Sequence, residues 1–436
     1  MGHITHSDGE YRVLQQRIVE KVQGNCASET LIKILQMLFS PEDAALAGKF
    51  PHNLTATDVL AENLGLSEQH LNNKITEMAG RGIVFDIEHK GHRYVMLPPV
   101  VIGFFELVFM RTRPHLPMKE LAHLFETYFN EENGKLFRSV WQGQTQLTRT
   151  FIMEETIPQN DHAEVLDWEK ATHVVSTATA ISVGNCQCHH TAQHHGTACD
   201  KPREVCLTFN YLAESLVKNG HARSVSKDET LDILRRCKEY NLIQIGDNVQ
   251  RKVTFICNCC SCCCHLLRGI RNYEINNGVV SSNWIMQIDL AKCTGCGRCA
   301  AVCPVDAIHI EEKKNEGKRK KQAVRDAKIC LGCGVCTKVC RSGAAVMHPR
   351  ARRIIAPETV FDQRIAMAAE RGKLADLLFD DPGKLSHRAL GRLISLIEHS
   401  PPFRAAMASE AIKSSFVNVL AKRAAKQSGD ICEKLI

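Results

Sequence analysis

Aromatic side chains are scarce in this 436-residue chain, at 6% of it. That is too few to favour a platform on which nucleic-acid bases stack in succession. No Gly-x-Gly-x-x-Gly fingerprint and no Walker loop is present, so neither a dinucleotide nor a nucleoside triphosphate site is expected. No apolar run approaches the roughly 20 residues of a transmembrane helix. The longest, Met96–Met110, is interrupted by Pro98, Pro99, Gly103 and Glu106 and reads as a buried segment. Met1–Val22 is polar and lacks the apolar stretch of a signal peptide. A cytoplasmic, reducing location is the expectation, and there abundant cysteine means metal rather than disulfides. Apolar residues at 44% and charged residues at 24% exclude a disordered chain. At the usual domain size the length suggests about two to four domains.

What the chain has in excess is cysteine, 21 residues, of which 19 lie between Cys186 and Cys340. Cys26, Cys237 and Cys432 stand apart and read as ordinary thiols packed as small apolar groups. The others form four groups. Two of these, Cys293, Cys296, Cys299, Cys303 and Cys330, Cys333, Cys336, Cys340, share the spacing C-x2-C-x2-C-x3-C, the first followed by Pro304. This run suits a cubane iron–sulfur cluster: a tight loop sets three thiolates on three irons, and the fourth points to a second cluster. Gly295, Gly297, Gly332 and Gly334 suit a backbone that wraps closely round such a cluster. A pair of zinc sites is the plainer alternative.

The region Trp284–Pro349 thus resembles a two-cluster bacterial ferredoxin domain. The resemblance implies one 4Fe-4S cluster on Cys293, Cys296, Cys299 and Cys340, and another on Cys330, Cys333, Cys336 and Cys303. Two departures stand out. Arg341 occupies the place where that family usually has proline, and the connection Cys303–Cys330 is long, with Glu311–Gln322 carrying the basic tetrad Lys318–Lys321. The connection reads as a solvated hairpin extension, with a docking knob for an acidic partner as the alternative.

The remaining groups follow another pattern. Cys186, Cys188, Cys199 and Cys206 are spaced C-x-C-x10-C-x6-C, with His189, His190, His194 and His195 interleaved as solvated loop residues. Cys257, Cys259, Cys260, Cys262, Cys263 and Cys264 crowd six thiols into eight residues. If that run is extended, Cys257, Cys259 and Cys263 share one face and Cys260, Cys262 and Cys264 the other. Each triad then offers three corners of a cluster that the first group completes. One or two further iron–sulfur clusters are expected, with structural zinc as the alternative. Together with the double motif, these segments resemble the large ferredoxin-type iron–sulfur proteins of anaerobic bacteria.

Around the cysteines the fold class is α+β. Residues 1–113 read as a winged-helix-like unit: helices over Thr30–Phe39, Thr57–Leu64 and one capped by Ser67, then a hairpin turning at Lys90-Gly91. The would-be recognition helix Ser67–Ala79 carries one cation, Lys74, against Glu68 and Glu77, which disfavours DNA despite Lys90, His92 and Arg93 in the wing. Residues 114–280 read as a mixed α/β cysteine-rich domain, with Leu207–Asn219 helical and Leu242–Ile245 and Val253–Ile256 as strands. Residues 281–350 form the ferredoxin domain, and 351–436 a helical extension over Val360–Arg371, His387–His399 and Ala405–Lys426. The last helix is basic through Lys413, Lys422, Arg423 and Lys426; these helices read as cover for the clusters, with a surface for a partner protein or the membrane interface as the alternative. The expected function is an electron-transfer protein or subunit serving a redox partner protein or enzyme complex. A reductase working at the unusual cysteine region, with the nearby histidines as proton donors, and a redox-sensing DNA-binding regulator are the alternatives.

Overall fold

The computed structural model describes residues 7–315, 318–378 and 385–403. The chain mixes helix and sheet around several apolar cores.

The N-terminal core gathers the helices Ser7–Val19, Glu29–Leu38, Pro41–Ala47, Thr57–Leu64 and Glu68–Arg81. Ser28, Ser40 and Ser67 each accept a first-turn N–H and so fix where three of these helices start. Strands β1 (Thr55–Ala56), β2 (Phe85–His89) and β3 (His92–Met96) form an antiparallel sheet in the order β1-β3-β2. The Met96–Met110 segment is buried, as its composition predicts, and ends in a short helix, Phe105–Phe109. The helix stretch Met118–Trp141 and the later helix Val360–Arg371 close the same core.

The middle of the chain is one six-stranded antiparallel sheet. Its strands are β4 (Thr148–Thr150), β5 (Ile181–Asn185), β6 (Glu204–Phe209), β7 (Arg223–Ser224), β8 (Ile243–Asp247) and β9 (Phe255–Cys259), in the order β4-β8-β9-β6-β5-β7. The helix expected over Leu207–Asn219 begins only at Asn210. Val205, Leu207 and Phe209 pack in the sheet core, and the segment pairs with β5 and β9. Long-range pairing overrides the local preference here.

Beyond it, β10 (Trp284–Ile288) pairs with β13 (Ala345–Pro349) and ties the two ends of the ferredoxin-like region together. Between them a hairpin of β11 (Ile308–Asn315) and β12 (Lys318–Arg325) projects, which makes the long connection an extension of paired backbone. No helix among the described residues is long and apolar enough to cross a membrane. The expected helix Ala405–Lys426 and Cys432 lie outside the described residues.

Candidate metal centres

All 20 cysteines of the described residues are free thiols. In the ferredoxin-like region, two short helices, Arg298–Ala301 and Val335–Lys338, follow the two C-x2-C-x2 loops and face each other. A cavity walled by Met286, Leu331, Val335 and Met347 is lined by Cys303, Cys330, Cys333 and Cys336. Three thiols of the second motif and the last of the first thus meet in one hollow. Cys293, Cys299 and Cys340 pack in a neighbouring core, where Cys299 feels the charges of the other two, and Cys296 is exposed.

Backbone amides approach several sulfurs: Ala307 N–H donates to Cys303 (3.2 Å), Ala345 N–H to Cys340 (3.4 Å) and Ala323 N–H to Cys293 (3.5 Å). Such bonds favour thiolate and tune a bound cluster. Bonds from Arg298 N–H and Thr294 hold the Cys296 thiol below its ordinary value. Burial pushes Cys336 up to about 12 and raises Cys299, Cys303 and Cys333 as well. Buried thiols of this kind ionise when a metal replaces their protons.

The unusual region divides its ten thiols six and four. Strand β9 ends at Cys259, so the alternation expected through the whole run stops there, and Ser261–Cys263 form a turn. Side chains beyond a strand's end no longer alternate by face. Cys257 and Cys259 from β9, Cys206 from β6, and Cys186, Cys188 and Cys264 form one linked set. Each shifts the ionisation of its neighbour: Cys206 and Cys257, Cys257 and Cys259, Cys259 and Cys264, Cys264 and Cys188, and Cys188 and Cys186 interact in turn. Cys186 and Cys264 stand at the N-caps of the helices Gln187–His194 and His265–Tyr273, whose first turns carry partial positive charge. Within the set, hydrogen bonds from neighbouring thiols hold Cys257 and Cys264 down, while Cys188, Cys206 and Cys259 are raised. The other four, Cys199, Cys260, Cys262 and Cys263, converge so that their sulfurs all lie within 4.8 Å of one another.

Two polar residues at the six-thiol pocket carried little signal in the sequence. Glu106 reads there only as a break in an apolar run. It is half-buried, accepts the Gly103 N–H at 2.7 Å, and its removal from water pushes it up to about 8, with Cys257 adding to the shift. Gln187 helps to hold the Cys257 thiol below its ordinary value. Of the histidines interleaved in the first group, His189, His190 and His194 lie on the helix Gln187–His194 rather than in a solvated loop, and His195 caps its C-terminal end. His189 bonds the Cys199 carbonyl oxygen and His190 the Phe109 carbonyl oxygen, both at 2.7 Å.

Compared with known families, residues 292–344 match the 4Fe-4S dicluster domain. That match and the clustered thiols support an iron–sulfur protein with an electron-transfer role. No curated protein and no solved structure matches the chain.

Proposed function

We propose that this chain relays single electrons to a redox partner protein or enzyme complex. In this reading Cys293, Cys296, Cys299 and Cys340 hold one 4Fe-4S cluster, Cys330, Cys333, Cys336 and Cys303 a second, and the six-thiol pocket a further iron–sulfur cluster. Such clusters, when bound, take up and release electrons at potentials set by their surroundings. One observation carries the proposal. Cys257, Cys259 and Cys264 pack in the same apolar core as Cys303, Cys330 and Cys333, and Cys303 also borders the core that holds Cys293, Cys299, Cys336 and Cys340. The three thiol sets therefore form a continuous series through packed protein, and exposed Cys296 marks its outer end. The reading places the chain in a reducing, cytoplasmic setting, where thiols stay available to metal. Residues 1–113 serve as a winged-helix-like packing or partner module rather than a DNA reader. Lys74 is paired with Glu42 and Asp43, Arg81 with Asp43 and Glu77, and Arg93 with Asp86.

The test is Cys259→Ser in the full chain, purified without oxygen. Iron and sulfide should fall while the low-temperature paramagnetic resonance of the two ferredoxin-type clusters persists. Unchanged iron would remove the six-thiol pocket from the relay.

A second reading, reduction of a small molecule at that pocket, is favoured by its surplus of thiols over the four of a cubane and by Glu106, which holds a proton at neutral pH. It predicts substrate turnover with the chain and a reductant alone, slowed by Glu106→Gln. A variant as fast as the parent would count against it.

A further inference from the structure

The sulfurs of Cys199, Cys260, Cys262 and Cys263 are too close together for a cubane. Cys199 and Cys263 stand 3.7 Å apart, Cys199 and Cys260 3.9 Å, and Cys262 and Cys263 3.9 Å. Four sulfurs about 2.3 Å from a single ion define a tetrahedron with edges of roughly 3.8 Å. In a cubane each thiolate caps a different iron, so the thiolates spread to the corners of a larger body.

The same chain supplies the comparison. Neither the eight thiols of the ferredoxin-like region nor the six of the linked pocket contain three sulfurs within 4.8 Å of one another; among the described residues only this foursome does. The local backbone fits as well. Cys260 to Cys263 spans a turn, and the Cys263 N–H donates to the Cys260 sulfur at 3.3 Å. An amide aimed at a ligating sulfur is the outer support expected of a metal site. Finally, Cys199, Cys260 and Cys263 belong to the sheet core around Val205 and Leu207, not to the core that links the pocket to the ferredoxin-like region.

We infer that these four cysteines form a mononuclear tetrathiolate site, separate from the electron relay, for one ion of a metal that accepts a tetrahedron of sulfur, zinc or iron. The site clamps the loop before β6 onto the turn after β9, and exposed Cys262 closes it on the solvent side.

The test measures zinc, iron and acid-labile sulfide in the full chain purified without oxygen, and in its Cys262→Ser and Cys199→Ser variants. A mononuclear site holds metal without sulfide. Each variant should therefore lose about one ion per chain, zinc or iron as the elemental analysis shows, with sulfide unchanged. X-ray absorption at the edge of the metal lost should show, in the parent, a sulfur shell at about 2.3 Å. Loss of several irons together with as many sulfides would overturn the inference in favour of a cluster. So would metal content equal to that of the parent. Either failure leaves the relay itself standing, because the Cys259→Ser experiment reads a different set of thiols.

Discussion

Gly332→Ala tests how tightly the wall around Cys303, Cys330, Cys333 and Cys336 is built. Gly332 lies between two of these cysteines with φ at +67°, where a side chain costs about 1–2 kcal/mol. A Cβ there would overlap the Trp284 carbonyl oxygen and stand 2.5 Å from the Ser282 hydroxyl oxygen. Neither neighbour is free to give. The Ser282 hydroxyl donates to the Gly332 carbonyl at 2.6 Å and accepts the Trp284 N–H at 3.2 Å, and Trp284 is fully buried at the start of β10. Forcing packed backbone aside costs a further 1–3 kcal/mol or so. The combined effect is about 2–5 kcal/mol. Gly343→Ala separates the two contributions, because its φ is +64° but nothing lies within 4 Å of the added carbon. That variant should lose only about 1–2 kcal/mol. The assay is an anaerobic denaturant titration that follows bleaching of the cluster absorbance. Gly332→Ala should bleach at a clearly lower denaturant concentration than Gly343→Ala, and equal midpoints would refute the close-packing argument.

His221 links the N-terminal helices to the middle sheet: its Nε2 donates to the Ala79 carbonyl at 2.7 Å, and its Nδ1 accepts from Arg113 at 3.1 Å. Burial, with Arg113 nearby, lowers it to about 4, so the folded chain holds it neutral. A depressed value means its contribution is present above the unfolded value near 6.5 and is lost as pH falls from there to about 4, by about 3 kcal/mol. Denaturation between pH 7.5 and 4.5 should show this slope, and His221→Gln should flatten it; parallel slopes would exclude His221 as the cause. Cys237 is fully buried in the sheet core, where desolvation pushes its thiol up to about 12. Cys237→Ala should therefore leave zinc, iron and sulfide unchanged, and any loss of metal would make it a ligand.

The two C-x2-C-x2-C-x3-C runs are legible from sequence because three of a cubane's four ligands are close in the chain, so their spacing records the local geometry. The paired β11–β12 extension and the serine cap at Ser67 were legible for the same local reason. The division of the other ten thiols was not. It depends on where β9 stops, and β9 stops at Cys259 because its partner β8 begins there, at Ile243. Pairing between segments remote in sequence leaves no local periodicity to read. The same is true of Glu106, which burial pushes up to about 8 with Cys257 of β9 adding to the shift, an effect of segments remote in sequence. Sequence thus determined the two cysteine runs that mark the 4Fe-4S dicluster domain; tertiary structure decided how the other sulfurs are shared out, because only packing sets the distances between chain segments.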